Sequence, residues 1–253
     1  DKFLGTELQG KILGLIGFGR IGKEVSKRAL AFEMKVLAYD PFVSESHIKS
    51  NGVTPASFDE IISQSDYISL HVPVTDQNRN IINENVFSKM KPDARIVNCA
   101  RGELVDEKAL IDALKNKRIK GAALDVFITE PPKNTELFQL ENLILTPHLG
   151  ASTEEAQVKV AQELASSLKD YFERGIVRNA VNLPSLEPEL LEKSGPYLDL
   201  SEKLGRFLSQ ISEGGIQEIK VEFAGDFPTP MRSILTLAAI KGVLASAMGD
   251  KEV

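Results

Sequence analysis

One stretch of the 253-residue chain predicts its architecture: Ile12-Leu13-Gly14-Leu15-Ile16-Gly17-Phe18-Gly19-Arg20-Ile21-Gly22. Its first five residues are typical of a buried strand, and a G-x-G-x-x-G motif then leads into a helical pattern over Ile21–Glu33. In that context Gly17 permits a tight turn, Gly19 lets a pyrophosphate approach the backbone, and Gly22 lets the helix pack on the strand. The free N–H groups and dipole of the helix N-terminus favour the anion, and Arg20 is a candidate for a further positive contact. The motif therefore predicts a dinucleotide-binding unit.

Asp40 indicates which dinucleotide is bound. It follows a second predicted strand, Lys35–Tyr39. An acid at this place hydrogen-bonds the adenosine ribose hydroxyls and repels a 2′-phosphate. The segment from Lys11 to Asp40 thus predicts a site for NAD rather than NADP. The alternative is a glycine-rich turn followed by a solvated acid.

The chain up to about Gly150 alternates short apolar runs with helical patterns, which predicts an α/β fold with a doubly wound parallel sheet. Several apolar runs are almost continuous, as in parallel strands that are buried on both faces. The predicted strands are Ile12–Ile16, Lys35–Tyr39, Tyr67–Val72, Arg95–Asn98, Ala122–Phe127 and Leu143–Thr146, and the predicted helices are Ile21–Glu33, Phe58–Ser63 and Glu107–Lys115.

The pattern changes after Gly150. A long helix is predicted over Ser152–Glu173 with Ser152 as its N-cap, and a loop-like stretch, Asn182–Pro196, marks a domain boundary. Beyond it, helical patterns over Tyr197–Ile211 and Ser233–Ala247 flank a strand-like segment, Ile216–Phe223, which predicts a small, incomplete α+β unit. We therefore expect an NAD-binding catalytic domain over 1–151, a helix and exit segment returning to a substrate lobe over 152–184, and a partial intervening or regulatory domain over 185–253.

Composition excludes several classes of protein. The formal net charge of −6, without a segregated basic patch, argues against nucleic acid as a partner. No apolar run approaches the length of a membrane span. The single cysteine, Cys99, rules out a disulfide within the chain and a paired-cysteine metal site. We expect a small-molecule substrate, no metal, and a cytoplasmic location, or a plastid if the source is a plant.

Chemically useful side chains cluster where the predicted strands end, and in such sheets ligands bind at the carboxyl ends. Hydride exchange at a hydroxyl-bearing carbon needs a base, and His148 suits this role. Glu130 can fix the tautomer of that histidine, and the Arg101 guanidinium can hold a substrate carboxylate through two hydrogen bonds. The segments concerned are His71-Val72-Pro73, Asn98-Cys99-Ala100-Arg101-Gly102, Asp125, Glu130 and Thr146-Pro147-His148-Leu149-Gly150.

Each of these residues also has a simpler interpretation. His148 can merely cap the helix that follows, Glu130 can be an ordinary loop acid, and Arg101 can be a surface charge. Asp125 is equally well explained as a packed acid at a strand end. Three further residues are interpreted as follows: Cys99 as a small residue near the nicotinamide rather than a nucleophile, His71 as structural or cofactor-adjacent, and His47 as a solvated surface residue.

With these residues identified, the chain resembles the D-isomer-specific 2-hydroxyacid dehydrogenases. The matching segments are Gly5–Lys11, Gly14–Gly22, Leu70–Pro73, Val97–Leu110, Gly121–Pro131 and Leu145–Thr153. The resemblance implies catalytic roles for Arg101, Glu130 and His148, and a two-lobed, oligomeric enzyme. The candidate cofactor-binding residues are then Gly17, Gly19, Arg20, Ile21, Gly22, Asp40, Val72, Pro73, Cys99, Ala100, Arg101, Asp125, His148 and Gly150.

Within that family, Asn179–Pro184 and Leu198–Gly205 resemble the branch that oxidises 3-phosphoglycerate with NAD in the first step of L-serine biosynthesis. This implies a homodimer or homotetramer when complete. Two alternatives remain: a dehydrogenase for another D-2-hydroxy acid, of the glyoxylate, hydroxypyruvate or D-lactate type, and a non-catalytic NAD-binding assembly module.

The family pattern also has residues ahead of the cofactor domain that form most of the substrate lobe. We therefore expect this chain to be a piece of a longer protein. In such a piece, the apolar positions of the long helix are expected to lack cover. These positions are Val158, Val160, Ala161, Leu164 and Leu168.

Overall fold

The computed structural model of the chain describes residues 5–133, 135–174, 177, 188–212, 216–225, 227 and 229–248. The chain divides into two compact units, Asp1–Gln157 and Val158–Val253. The first unit contains the sheet, and its elements position the candidate site.

A seven-stranded parallel sheet forms the centre of the first unit, which confirms the predicted α/β fold class. The chain runs outward from β1 to β3, then returns to the other side of β1 and runs outward again from β4 to β7. Ligands of doubly wound sheets bind where the strand order reverses, here between β1 and β4. The strands are β1 (Ile12–Ile16), β2 (Lys35–Tyr39), β3 (Thr54–Pro55), β4 (Tyr67–Leu70), β5 (Arg95–Asn98), β6 (Gly121–Leu124) and β7 (Leu143–Leu145), in the order β3-β2-β1-β4-β5-β6-β7.

Apolar side chains are buried on both faces of this sheet. In β1, Leu13 and Leu15 belong to one hydrophobic cluster while Ile16 belongs to the other, because successive strand residues point to opposite faces. Helices cover both clusters, as expected for parallel strands. The helices of this unit are α1 (Arg20–Ala31), α2 (Glu45–Ser50), α3 (Phe58–Gln64), α4 (Glu84–Lys89) and α5 (Glu107–Lys115).

Helix α6 (Glu154–Arg174) follows the sheet. Its N-cap is Thr153, whose hydroxyl accepts a hydrogen bond from the Ala156 N–H at 3.1 Å, so the prediction of Ser152 as the cap is wrong by one residue. Ser152 and Thr153 both have hydroxyl groups, but only the hydroxyl of the residue directly before the helix accepts the N–H of the first turn. The expected apolar positions are exposed: Val158, Val160, Leu164 and Leu168 are each 48–59% accessible.

Two further helices, α7 (Pro188–Ile211) and α8 (Thr229–Met248), pack on each other in the second unit. The prediction of a loop up to Pro196 is wrong for residues 188–196, which are helical. Pro188 occupies the first helical position. A backbone N–H at this position has no acceptor within the helix, so a proline, which lacks the N–H, is tolerated there. Close packing depends on Gly205 and Gly242, because a Cβ atom at either would come within 2.0 Å of a backbone oxygen of the facing helix. Residues 178–187, which contain the end of the predicted exit segment and the start of the predicted loop, lie outside the described residues.

The predicted strand Ile216–Phe223 is also wrong, since residues 216–224 form no ladder. The alternating pattern persists in the burial of the side chains, with Ile219, Val221 and Phe223 half-buried. A strand needs a neighbour for its N–H and C=O groups, and the described part of this unit holds none. None of the helices in the described part of the chain has the length and hydrophobicity that a membrane-spanning helix requires.

Candidate active site

The glycine-rich turn lies where β1 and β4 end side by side. Gly17 has a φ of +101°, and a Cβ atom there would lie 2.5 Å from the carbonyl oxygen of His71 and 2.8 Å from a methyl carbon of Val72. A Cβ on Gly22 would lie 2.3 Å from the carbonyl oxygen of Gly17. Gly19 has nothing within 4 Å of the same position. The turn is therefore closed on the protein side and open at Gly19, which leaves room for a pyrophosphate.

The start of α1 differs from the other helix starts of the first unit. Its N-cap is Gly19, without a side-chain cap, and its first turn contains no acidic residue. Helices α2 to α5 each begin with a Ser, Asn or Asp side chain that accepts a backbone N–H and with an acid in the first turn. The first turn of α1 thus contributes no negative side chain of its own, and its free N–H groups fit an anionic pyrophosphate.

Asp40 extends from the end of β2 to the glycine turn. One carboxylate oxygen accepts the Phe18 N–H at 2.8 Å and the other accepts the Phe42 N–H at 2.9 Å. These bonds hold the carboxylate beside the turn, where an acid is placed to meet a ribose. This position agrees with the sequence interpretation of Asp40.

His71 follows β4 and contacts the same turn. Its N–H donates to Ile16 at 2.7 Å, and its Nε2 lies 3.0 Å from the hydroxyl of Ser69. Burial lowers the pKa of His71 to about 4, so the ring is neutral at physiological pH. A neutral, half-buried ring agrees with a structural or cofactor-adjacent histidine.

The loop after β5 is held by Asn98, which is fully buried. Its side-chain oxygen accepts the Ala100 N–H at 3.0 Å, and its amide nitrogen donates to the Arg101 carbonyl at 2.8 Å. The Arg101 guanidinium is exposed and donates to the Ala100 carbonyl at 2.6 Å, within its own loop rather than to Glu130 or His148. Burial, followed by the charge of Asp125, raises the pKa of the Cys99 thiol, which argues against a nucleophilic thiolate.

His148 and Glu130 form a direct pair at the carboxyl edge of the sheet. The Nδ1 atom of His148 lies 2.8 Å from one carboxylate oxygen of Glu130, and the other oxygen accepts the Phe127 N–H at 3.1 Å. The bond to His148, and next the bond from Phe127, hold the pKa of Glu130 below its ordinary value. Since Thr153 caps α6, His148 does not have the capping role considered above. Nδ1 is engaged, so Nε2 is the ring atom available to a substrate.

Asp125 follows β6 and is buried. It accepts hydrogen bonds from the Thr146 hydroxyl and from the N–H groups of Leu149 and Gly150. Burial raises the pKa of this carboxyl, but the three hydrogen bonds and the charge of His148 together bring it below its ordinary value. Asp125 is therefore both the packed strand-end acid and a neighbour of His148.

The structure thus brings most of the candidate residues to one edge of the sheet, in contacts between Gly17 and Val72, Asp125 and Gly150, and Glu130 and His148. Ile21 and Pro73 are exposed. Sequence reasoning missed the roles of Asn98, Thr146 and Gly102. A Cβ on Gly102 would come within 2.0–2.4 Å of the Phe127–Ile128 peptide, so this glycine lets the Arg101 loop touch the loop that leads to Glu130. A glycine directly after a candidate catalytic residue was the available signal.

The neutral state of His71 predicts a pH dependence of stability. Its folded pKa of about 4 lies below its ordinary value of 6.5. Between these values the unfolded chain binds the proton more readily, so the free energy of unfolding falls as pH decreases from 6.5 to 4. The contribution is up to about 3 kcal/mol. Urea denaturation at several pH values should show a shallower decrease for His71→Gln than for the wild type, and equal slopes would contradict this explanation.

Comparison with known protein families agrees with this geometry. Residues 1–150 match the model of the D-isomer specific 2-hydroxyacid dehydrogenase NAD binding domain, and residues 193–253 match the D-3-phosphoglycerate dehydrogenase intervening domain. The chain is similar to the D-3-phosphoglycerate dehydrogenases of Synechocystis sp. (45% identity, 99% of this chain and 45% of the relative) and Methanocaldococcus jannaschii (43%, 96% and 47%). It spans about half the length of these curated relatives.

Among solved structures, the chain resembles a glyoxylate reductase from Paecilomyes thermophila, with a TM-score of 0.66 and 36% identity over 71% of this chain and 54% of that protein. It also resembles a D-lactate dehydrogenase with NAD+ from Lactobacillus jensenii, with a TM-score of 0.60 and 33% identity over 67% and 56%. The chain belongs to the D-isomer-specific 2-hydroxyacid dehydrogenase family, and its residues 1–150 are the family's NAD-binding domain.

Proposed function

We propose that the protein oxidises 3-phosphoglycerate with NAD to 3-phosphohydroxypyruvate and NADH, in the first step of L-serine biosynthesis. The observation that supports this most is the His148–Glu130 pair, 2.8 Å apart at the same edge of the sheet as the glycine turn. The choice of substrate rests on the match of residues 193–253 to the intervening domain and on the names of the relatives.

In the proposed reaction, Nε2 of His148 takes the proton of the C2 hydroxyl. Glu130 accepts a hydrogen bond from the Nδ1–H of the same ring, which fixes the tautomer of His148 and stabilises the imidazolium that forms. The Arg101 guanidinium binds the substrate carboxylate through two hydrogen bonds and orients C2. NAD, when bound, supplies the acceptor for the hydride that leaves C2. The products are the 2-keto acid, NADH and a proton.

The cofactor residues are proposed on the same basis. The turn Gly17–Gly22 and the start of α1 bind the pyrophosphate, with Arg20 and Ile21 beside it, and Asp40 binds the adenosine ribose. Val72 and Pro73 line the site after β4. The loop Cys99–Arg101, together with Asp125, His148 and Gly150, surrounds the nicotinamide end.

Substitution of Asp40 tests the preference for NAD. In Asp40→Ala, loss of a charged acceptor is expected to weaken NAD binding about tenfold or more, whereas NADP binding holds or improves because the repulsion is gone. The ratio of the two Kd values, measured by calorimetric titration of the chain, is the decisive quantity, since damage to the turn would weaken both. Asp93→Ala removes an exposed acid from a surface pair with Lys120 and serves as the control. An unchanged ratio would rule out the role of Asp40.

Substitution of His148 tests the proposed base. His148→Ala is expected to lower kcat by about a hundredfold to ten-thousandfold, measured as NADH formation by the longest native form of the protein that contains this chain. His47→Ala removes an exposed histidine from α2 and should leave kcat unchanged. Full activity of His148→Ala would refute the mechanism. A panel of D-2-hydroxy acids tests the substrate, and preference for an unphosphorylated acid such as D-glycerate or D-lactate would overturn the choice of 3-phosphoglycerate.

We also propose that the protein is a homodimer or homotetramer in the cytoplasm, or in the plastid of a plant. The exposed apolar side chains of α6 support assembly, since contiguous apolar surface marks interaction sites. One similar relative, from Arabidopsis thaliana, is named as chloroplastic. Light scattering on the longest native form should give a mass of two or four chains, and a single-chain mass would contradict the proposal.

A further inference from the structure

The glycine that follows Arg101 lies against the loop that leads to Glu130. A Cβ atom on Gly102 would lie 2.0 Å from the carbonyl carbon of Phe127, 2.3 Å from its oxygen and 2.4 Å from the nitrogen of Ile128. All three are backbone atoms, so no rotation of a side chain could make room for a larger residue. Gly102 is buried, and the two loops therefore meet backbone to backbone.

The backbone of Phe127 takes part in two contacts at once. Its carbonyl group lies against Gly102, and its N–H donates to one carboxylate oxygen of Glu130 at 3.1 Å. The other oxygen of Glu130 lies 2.8 Å from Nδ1 of His148. The location of the Phe127 backbone thus determines where the Glu130 carboxylate can meet the histidine, and Gly102 limits how close that backbone can come.

The Gly102 side of the contact is held more firmly than the opposite side. The N–H of Ile82 donates to the Leu104 carbonyl at 3.0 Å, and the carbonyl of Ile82 accepts the Asp106 N–H at 2.9 Å. These bonds fix the segment that follows Gly102 to the chain that follows β4. Residues 128–131, in contrast, are exposed. A larger residue at position 102 is therefore expected to displace the loop that leads to Glu130.

We propose that Gly102 is a positioning residue: because it brings no side chain to the Phe127 backbone, the Glu130 carboxylate is held where it meets Nδ1 of His148. This rests on the proposed function in one respect, namely that His148 is the acid/base group. One contact then sets the distance between the loop of the substrate-binding arginine and the loop of the supporting glutamate. The residue that does this has no functional group of its own.

Two substitutions disturb the contact from opposite sides. Gly102→Ala adds the Cβ atom that meets the Phe127 backbone. Phe127→Leu leaves Gly102 unchanged but shortens the buried side chain that anchors the same backbone, and it decides the matter if Gly102→Ala does not fold. Phe87→Leu is its matched control, since Phe87 belongs to the same hydrophobic cluster but lies on α4. Gly14→Ala is the control for Gly102→Ala, because its Cβ would lie 2.2 Å from the Ser65 hydroxyl within the sheet.

The expected kinetic result is a loss of kcat at nearly constant KM. In the longest native form, Gly102→Ala should lower kcat for NADH formation about tenfold to a hundredfold, while KM for 3-phosphoglycerate changes less than about threefold because Arg101 stays in place. Phe127→Leu should lower kcat by about threefold or more, and Phe87→Leu and Gly14→Ala should match the wild type. A KM that rises about tenfold at unchanged kcat would assign the effect to Arg101 and overturn the proposal.

A double substitution tests whether Gly102 acts through Glu130. If it does, the addition of Gly102→Ala to Glu130→Gln should lower kcat by less than about a further twofold, because the group that Gly102 positions is already lost. Phe127→Leu takes its place in this cycle if Gly102→Ala does not fold. Losses of kcat that multiply would show an independent effect and overturn the proposal.

The carboxyl group of Glu130 gives a measurement that needs no turnover. The bond to His148, and next the bond from Phe127, hold the pKa of Glu130 below its ordinary value. In a carboxyl-carbon NMR titration of the 253-residue chain, the two test substitutions should raise the pKa of Glu130 and the two controls should leave it unchanged. A titration that neither test substitution alters would refute the positioning role. If the wild type oxidises no D-2-hydroxy acid while these changes are present, the proposed function fails and the positioning of Glu130 by Gly102 stands.

Discussion

The contact between the Gly17 turn and the carbonyl of His71 is the constraint on which the candidate site depends. It exists because β1 and β4 are parallel neighbours, so that both strands end at the same edge although many residues separate them in the chain. Only a residue without a side chain fits at Gly17, where φ is +101° and a Cβ atom would meet the His71 carbonyl. The turn places the start of α1 at the point where the strand order reverses. The open side of that turn is where an anion can approach.

Outward from this point, buried polar groups hold the functional loops in addition to apolar packing. Asn98 fixes the Arg101 loop through two bonds, and Asp125 connects the sheet to the His148 loop. Gly102 lets the loop that leads to Glu130 lie against the Arg101 loop. The exposed reactive side chains thus extend from loops whose backbone is held in place by hydrogen bonds. This arrangement preorganises a site.

An element of the fold could be predicted where its own residues carry the pattern that identifies it. Strands β1, β2 and β5 agree with prediction residue for residue, because each is a short segment with apolar residues at its centre. Helices α2 and α4 and strand β3 were not predicted, since each is six residues or shorter and offers little periodicity. Ile216–Phe223 has the alternating pattern of a strand. A strand also needs a partner strand to pair with, and the pattern of one segment does not show whether that partner exists.

The dinucleotide motif, the acid Asp40 and the three candidates Arg101, Glu130 and His148 are recognisable in the amino-acid sequence, because they depend on residue type and on position after a strand. The way the loops are held follows from the folded chain: Glu130 meets Nδ1 of His148, Thr153 rather than Ser152 caps α6, and Asp125 accepts hydrogen bonds from residues on both sides of His148. These contacts join residues of different loops, so their geometry depends on the order and register of the strands. No local pattern in the sequence encodes the order of the strands. That order depends on how the whole chain buries apolar side chains on both faces of the sheet.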